Sequence, residues 1–194
     1  MAAQQHGADR IELCSRLDLD GLSPDLELID KTLSNLTIPV KVMIRPRSGN
    51  FVYSESELES MENEIDQFKA LGVTEVVFGV LNQKNEIDMK ATARLAKRSS
   101  PMKVTFHKAI DHTPNILGGL ETLKSIPGIT SILTSGGKIT ALKGQNVLKE
   151  MIQLSEDQLV IIPAGQITDK NIIELHESIG ASEYHGRRIL GNLN

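Results

Sequence analysis

Short runs in which apolar and polar residues alternate recur along the chain, and stretches with helical apolar spacing separate them. Alternation with period two predicts strands at residues 10–14, 40–45, 75–81, 103–107, 131–135, 159–164 and 181–185. The intervening segments carry helix signals, such as the capping box formed by Ser54 and Glu57 and the closing glycine Gly72. Further helices are predicted to begin at Ser23 and Asp88, and to span residues 117–125, 142–154 and 168–179.

This order of elements predicts a parallel sheet covered by helices, either as a closed barrel or as an open doubly wound sheet. Several strands carry polar residues at alternate positions, which a sheet buried on both faces would tolerate poorly. No Gly-x-Gly-x-x-Gly motif follows the first strand. The strands are one short of eight, and residues 1–6 resemble the end of a helix whose preceding strand is absent. We therefore predict one α/β domain over residues 1–194, a TIM (β/α)8-type barrel lacking its first strand.

The strand at residues 40–45 has one apolar face, while Lys41, Met43 and Arg45 share the other face. The run ends at a proline, and Gly49 permits a turn in the loop that follows. Parallel α/β proteins build their sites where strands end in such loops. Arg45 and Arg47 are therefore predicted to bind an anion or substrate.

Alternation also selects the polar side chains that face the barrel interior. It turns Glu12, Cys14 and His107 inward, and His185 lies on one face of the last predicted strand. Each could be a hydrogen-bonded polar group of the core. Burying Glu12, Arg45 and His107 together, however, would carry a large desolvation cost, which favours a functional role. A carboxylate, an arginine and an imidazole can bind an anion and move a proton, so Glu12 and His107 are candidate acid–base residues.

Two glycine-containing turns extend this candidate site. Ser135 and Gly136 follow one strand, and Gly165 follows the next. Backbone amides in such turns bind phosphate or carboxylate groups in barrel proteins, although glycine turns also simply connect strands to helices. We therefore predict Ser135, Gly136, Gly165 and His185 as further anion-binding residues.

Composition narrows the classes of function. The 194 residues include 21 basic and 25 acidic side chains, so the net charge of -4 offers no basic surplus for nucleic acid. Cys14 is the only cysteine, which excludes an internal disulfide and suits a reducing cytosol. No apolar run approaches the length of a membrane helix, and the start does not resemble a signal peptide. These features predict a cytoplasmic protein with neither nucleic acid nor membrane as partner.

Several segments, in the same order and at similar spacing, resemble the CutC copper homeostasis family. They are residues 7–14, 21–24, 42–51, 77–79, 105–107, 133–137 and 185–186, of which Met-Ile-Arg-Pro-Arg at 43–47 and Thr-Phe-His at 105–107 are the most specific. The resemblance implies a cytoplasmic (β/α)8 barrel, usually a homo-oligomer, that serves copper homeostasis and tolerance. It also implies Cu(I) binding, with Cys14 as a metal ligand.

The chain departs from the family pattern in two places. Family members begin with an additional strand, often carrying another cysteine, and they tend to have arginine where this chain has Lys108. Cu(I) prefers soft ligands, so Cys14 would need help from His107, Met43 or a partner subunit.

Three hypotheses therefore stand, and whether the protein is an enzyme stays open. The first is a copper homeostasis protein that binds Cu(I) directly. The second is a barrel enzyme for a small anionic metabolite, such as a phosphorylated one, held by Arg45 and Arg47. The third is a scaffold whose unpaired strand edge favours dimerisation.

Overall fold

The computed structural model describes residues 1–193, and its centre is a parallel sheet of six strands in sequence order. Each strand pairs in parallel with the next, and the sheet curls into part of a barrel. The strands are β1 (Ile11–Leu13), β2 (Val40–Met43), β3 (Glu75–Phe78), β4 (Lys103–Phe106), β5 (Ile129–Thr134) and β6 (Val160–Pro163).

Helices connect successive strands, as the alternating pattern predicts. The helices are α1 (Ala2–Gln5), α2 (Leu26–Asn35), α3 (Glu55–Ala70), α4 (Met89–Ser99), α5 (Ile116–Lys124), α6 (Ala141–Ser155) and α7 (Ile172–Ile179), with 3₁₀ helices at Leu17–Leu19 and Lys108–His112. Of these, α1 precedes β1 and α7 follows β6. The predicted capping box forms at the start of α3, where the Ser54 side chain accepts from the Glu57 N–H and the Glu57 side chain accepts from the Ser54 N–H.

Two predicted helix starts are wrong. Asp25, not Ser23, caps α2 by accepting a hydrogen bond from the Leu28 N–H. The Ser23 hydroxyl is used elsewhere, since it donates to Glu64 and accepts from the Arg45 N–H. Helix α7 begins at Ile172, four residues after the predicted start at Thr168.

Strand β2 shows how the sheet divides its side chains. Val40, Val42 and Ile44 are buried in the core between the sheet and the helices. Lys41, Met43 and Arg45 point the other way, because successive strand side chains alternate, and they line the cavities inside the curled sheet. The predicted two-faced strand is therefore confirmed.

The predicted strand at residues 181–185 is wrong, and a closed eight-stranded barrel is not shown. This segment runs beside β6 with a hydrogen bond from the His185 N–H to the Pro163 carbonyl, 2.9 Å long. Pro163 has no N–H to donate in return, so a regular ladder cannot continue there. Within residues 1–193 the sheet therefore stays open between β1 and β6.

Among the helices of residues 1–193, none combines the length and apolar character that crossing a membrane requires.

Candidate functional site

A cavity of 1540 Å³ opens at the carboxyl ends of the strands, where barrel proteins bind their ligands. We refer to it as the mouth cavity. The structure brings together in its lining six of the residues predicted from the sequence, namely Glu12, Arg45, His107, Ser135, Gly165 and His185. Cys14, Arg47 and Gly136 are not part of this lining.

His107 is a buried, neutral hydrogen-bond donor at the mouth. Its Nδ1 accepts a hydrogen bond of 3.2 Å from the Ala109 N–H, so the ring proton of the neutral form is assigned to Nε2. Desolvation, and then the positive charge of Arg45, lower the pKa of His107 from its ordinary 6.5 to about 3. Its Nε2 has no hydrogen-bond partner within residues 1–193.

Phe51 holds the cationic and imidazole groups of the site in place. Its ring centroid lies 4.8 Å from that of His107 and 5.5 Å from that of His112. The guanidinium carbon of Arg45 lies 5.0 Å from the same centroid. An arginine over an aromatic face is favourable, so Phe51 fixes Arg45 beside the neutral imidazole.

Arg45 holds two loops by hydrogen bonds and also contributes a positive charge to the mouth cavity. Its Nη1 donates to the carbonyls of Leu19, Asp20 and Gly21, and its Nη2 donates to the Gly49 carbonyl at 3.3 Å. Its Nε has no hydrogen-bond partner among the described residues. Carbonyls do not cancel the charge, so the mouth retains a buried positive charge that favours an anion.

Arg47 is occupied by its own surroundings. Its Nε donates to Glu57 at 2.5 Å, and its Nη groups donate to the carbonyls of Asn50 and Val52. The bond from Arg47, and then the Ser54 N–H, lower the pKa of Glu57 to about 2. The structure thus uses Arg47 to order the loop before α3 rather than to reach the mouth cavity.

The predicted anion-binding turn after β5 already holds a carboxylate of the protein. Asp111 accepts hydrogen bonds from the N–H groups of Ser135 and Gly137 at 3.0 and 2.9 Å, and from the Ser135 hydroxyl at 2.8 Å. The Thr134 hydroxyl adds a bond of 2.5 Å, and the Gly136 N–H donates to that same hydroxyl oxygen. Of the two residues predicted to bind a ligand in this turn, Ser135 therefore binds Asp111 and the Gly136 N–H binds the Thr134 hydroxyl.

The rim of the mouth cavity carries a local excess of positive charge. The lining cations that form no ion pair with any carboxylate of residues 1–193 are Arg45, Lys138, Lys143, Arg187 and Arg188. Of the four lining acids, Asp18 pairs with Arg16 and Asp111 is bound as described above. Glu12 and Asp20 form no ion pair within residues 1–193, so five unpaired cations face two unpaired carboxylates. Sequence reasoning located Arg45 but missed the other four cations. Lys138, Arg187 and Arg188 lie in loops, where no periodicity indicates direction, and Lys143 lies in the first turn of α6.

Cys14 lies half-buried beside the turn at Gly21. Burial, and then the charge of Glu12, raise the pKa of the Cys14 thiol, while Arg187 opposes them. Within residues 1–193 no three His, Cys, Asp or Glu side chains come together as metal ligands. A lone thiol of raised pKa, outside any such cluster and facing the positive charge of Arg187, does not fit the Cu(I) site that the resemblance implies.

Comparisons with known proteins agree on one family. The profile of the CutC family matches residues 1–190. The Homo sapiens copper homeostasis protein cutC homolog is 39% identical over 183 residues, which are 94% of this chain and 67% of that protein. A CutC family protein of Mesorhizobium japonicum is 37% identical over 185 residues, covering 95% of this chain and 71% of that protein.

Solved structures give the same result. The crystal structure of the copper homeostasis protein CutC from Streptococcus agalactiae superposes with a TM-score of 0.89 at 30% identity, covering 93% of this chain and 89% of that chain. A monomeric dihydrodipicolinate synthase variant matches with a TM-score of 0.65 at 14% identity, covering 94% of this chain and 59% of that chain, a likeness of fold alone.

Proposed function

Because the chain belongs to the CutC family, we propose that it acts in copper homeostasis and that its mouth cavity binds a small anionic ligand. The observation that carries the second part is the set of unpaired cations at the mouth, in a protein whose net charge is -4. Charge of one sign gathered in a cleft attracts a ligand of the opposite sign. The same charge disfavours entry of a bare metal cation.

The buried residues give this ligand an orientation. The neutral His107 offers its Nε2–H as a donor, and Arg45 supplies positive charge beside it. A neutral imidazole with a pKa of about 3 polarises a ligand oxygen at neutral pH but does not exchange its proton. If a reaction occurs, the candidate proton-transferring group is therefore Glu12, which lines the same cavity.

Substitution of Arg187 and Arg188 tests whether the mouth cavity binds anions. We expect replacement of both by glutamine to weaken binding of small phosphorylated compounds and carboxylates by at least about tenfold, which corresponds to about 1.4 kcal/mol. The matched control is the K31Q/K149Q double variant, which removes the same charge from exposed positions on α2 and α6. Titration calorimetry at low salt measures both variants. Equal affinity in the two, or no binding of any anion by the wild type, would refute the mouth as an anion site.

Direct Cu(I) binding at Cys14 is the second candidate function. The observation that supports it is the free, half-buried thiol near Arg187. The described residues do not complete a metal site, so this proposal requires soft ligands from a second molecule. An anaerobic Cu(I) titration against a competing chelator, on the wild type and on Cys14→Ser, decides it. Stoichiometric Cu(I) binding by the wild type that is lost in Cys14→Ser supports the proposal. Equal binding by both proteins would show that Cys14 is not a Cu(I) ligand.

We place this function in the cytoplasm, where the single cysteine stays reduced. We also propose a homo-oligomer, because β1 has an edge that no other strand of residues 1–193 covers. Sedimentation velocity over a wide concentration range tests the assembly. A monomer throughout that range would contradict it.

A further inference from the structure

A second cavity, of 530 Å³, lies at the open side of the curled sheet. It is bounded by β1 on one side and by residues 181–185 on the other, and Leu133 and Ile162 form part of its wall. We call it the seam cavity. Its volume is within the range of cavities that bind small molecules, and its lining includes the side chain of Lys41.

Lys41 is unusual among the lysines of the chain because it is buried, with 6% of its surface exposed. Its Nζ donates to the hydroxyl oxygens of Thr105 at 2.8 Å and Ser131 at 3.3 Å, and it lies 3.7 Å from a carboxylate oxygen of Glu75. All other lysines within residues 1–193 are at least partly exposed. The amine is therefore held in one position at the wall of the seam cavity.

The surroundings of Lys41 favour an uncharged amine. Desolvation, and then the positive charge of Arg10, lower the pKa of Lys41, while the carboxylates of Glu75, Glu183 and Glu12 oppose them. A desolvated lysine beside another cation is the arrangement that makes an amine nucleophilic at neutral pH. The Thr105 and Ser131 hydroxyls accept from the two N–H bonds that remain after deprotonation, which leaves the nitrogen lone pair available.

We propose that the seam cavity binds a small uncharged aldehyde or ketone and that Lys41 captures it as a Schiff base. The nitrogen of Lys41 forms a bond to the carbonyl carbon, and the carbonyl oxygen leaves as water with the two protons of the neutral amine. The product carries a C=N bond to Nζ and needs no oxidant or reductant. The seam cavity shares Glu12, Leu133 and His185 with the lining of the mouth cavity, but Arg45, Arg187 and Arg188 line only the mouth. The Schiff-base site extends beyond the function proposed above.

The charges of the seam cavity decide which carbonyl compounds it accepts. With Lys41 uncharged, Arg10 brings one positive charge against four carboxylates, on Asp9, Glu12, Glu75 and Glu183. Arg10 is also committed, since its guanidinium pairs with Glu183. An additional anion would meet net negative charge in a partly desolvated space, so an uncharged ligand with an apolar chain is favoured.

Reductive trapping on the wild-type protein tests the proposal directly. The protein is incubated with butanal and sodium cyanoborohydride at about pH 7, and the secondary amines that form are located by peptide mass spectrometry. The lowered pKa gives Lys41 a larger neutral fraction than an ordinary lysine has, so we expect Lys41 to be modified severalfold faster than Lys31 or Lys149. Modification of the exposed lysines with Lys41 left intact would overturn the proposal.

Two variants separate the reaction of the Lys41 amine from the general reactivity of the protein. Lys41→Arg keeps the positive charge and should lose the adduct at this position while the exposed lysines react as before. Glu75→Gln removes an opposing charge, so the pH profile of trapping at Lys41 should move to lower pH, and an unmoved profile would contradict the role of this cluster.

Pyruvate tests the charge selectivity, because it is a carbonyl compound of similar size that carries a negative charge. We expect little trapping of pyruvate at Lys41, and trapping equal to that of butanal would refute the preference for an uncharged ligand. The R187Q/R188Q variant should trap butanal at Lys41 at the wild-type rate. Failure of anion binding at the mouth and failure of the seam site are therefore distinguishable.

Discussion

His107 shows how much of a residue's chemistry comes from its neighbours. Alternation along β4 correctly turned it toward the interior. Its protonation state depends on the Ala109 N–H and on Arg45, which comes from another strand, and the sequence alone indicates neither contact. Sequence reasoning therefore located the imidazole, while its role as a neutral donor required the structure.

The stability of the protein should depend on pH through His107. Its folded-state pKa of about 3 lies below the ordinary 6.5, so between these values the unfolded chain binds the additional proton. The contribution of His107 to the free energy of unfolding is therefore fully present above about pH 6.5. It falls as the pH drops below that value, by up to about 1.4 kcal/mol per pH unit. Denaturant unfolding at about pH 7.5, 6 and 5 should show a shallower pH dependence for His107→Gln. Parallel curves for wild type and variant would contradict this account.

Gly79 makes room for the imidazole. A Cβ atom on Gly79 would lie 2.5 Å from Nδ1 of His107 and 2.6 Å from its Cε1, so Gly79→Ala should displace the ring and cost about 1–3 kcal/mol. Gly119→Ala is the control, since its Cβ would meet Ile110 at an ordinary 3.4 Å and alanine favours the helix. Thermal unfolding should show a destabilised first variant and an unchanged or stabilised second one. Equal melting temperatures would argue against a tightly fitted imidazole.

At the scale of elements, local signals were right for α3 and α4 but wrong for the starts of α2 and α7, and the pairing of distant segments was predicted less well. The capping box of α3 and the cap of α4 at Asp88 were predicted correctly, because both are read from adjacent residues. The strand expected at residues 181–185 failed, since pairing depends on what the neighbouring strand can donate and Pro163 donates nothing. The turn after β5 was predicted as a ligand site, but Asp111 reaches it from 24 residues earlier in the chain.

Asp111 should therefore act as a structural lock between the 3₁₀ helix Lys108–His112 and the turn after β5. Asp111→Ala removes a carboxylate that several N–H and hydroxyl groups share, and we expect a loss of about 3 kcal/mol in unfolding free energy. Amide hydrogen exchange at Ser135 and Gly137 should accelerate most. Asp88→Ala, which removes one capping contact on α4, should cost about 1 kcal/mol and leave these two amides protected. Unchanged exchange at both amides in Asp111→Ala would refute the lock.

At the scale of the whole molecule, the alternating pattern and the resemblance predicted the family and the parallel sheet correctly. They did not predict the seam cavity or the burial of Lys41. The periodicity did place Lys41 on the inward face with Met43 and Arg45, so a signal for it existed. Its partners Thr105 and Ser131 come from two other strands, and only the curl of the sheet brings the three together.

One long-range ion pair spans the open side of the sheet. Arg10, just before β1, pairs with Glu183, so it ties the two sides of the seam cavity together across most of the chain. We expect Arg10→Gln to lower the free energy of unfolding by about 1 kcal/mol, because the pair is partly exposed, and to speed amide exchange at residues 181–185. Arg16→Gln is the matched control, since Arg16 pairs with the nearby and exposed Asp18 and bridges no distant segments. Its stability and exchange should match those of the wild type. If both variants behave alike, side-chain packing rather than this ion pair holds residues 181–185 against the sheet. A loss of stability and of exchange protection confined to Arg10→Gln shows that the Arg10–Glu183 pair holds this segment to the sheet.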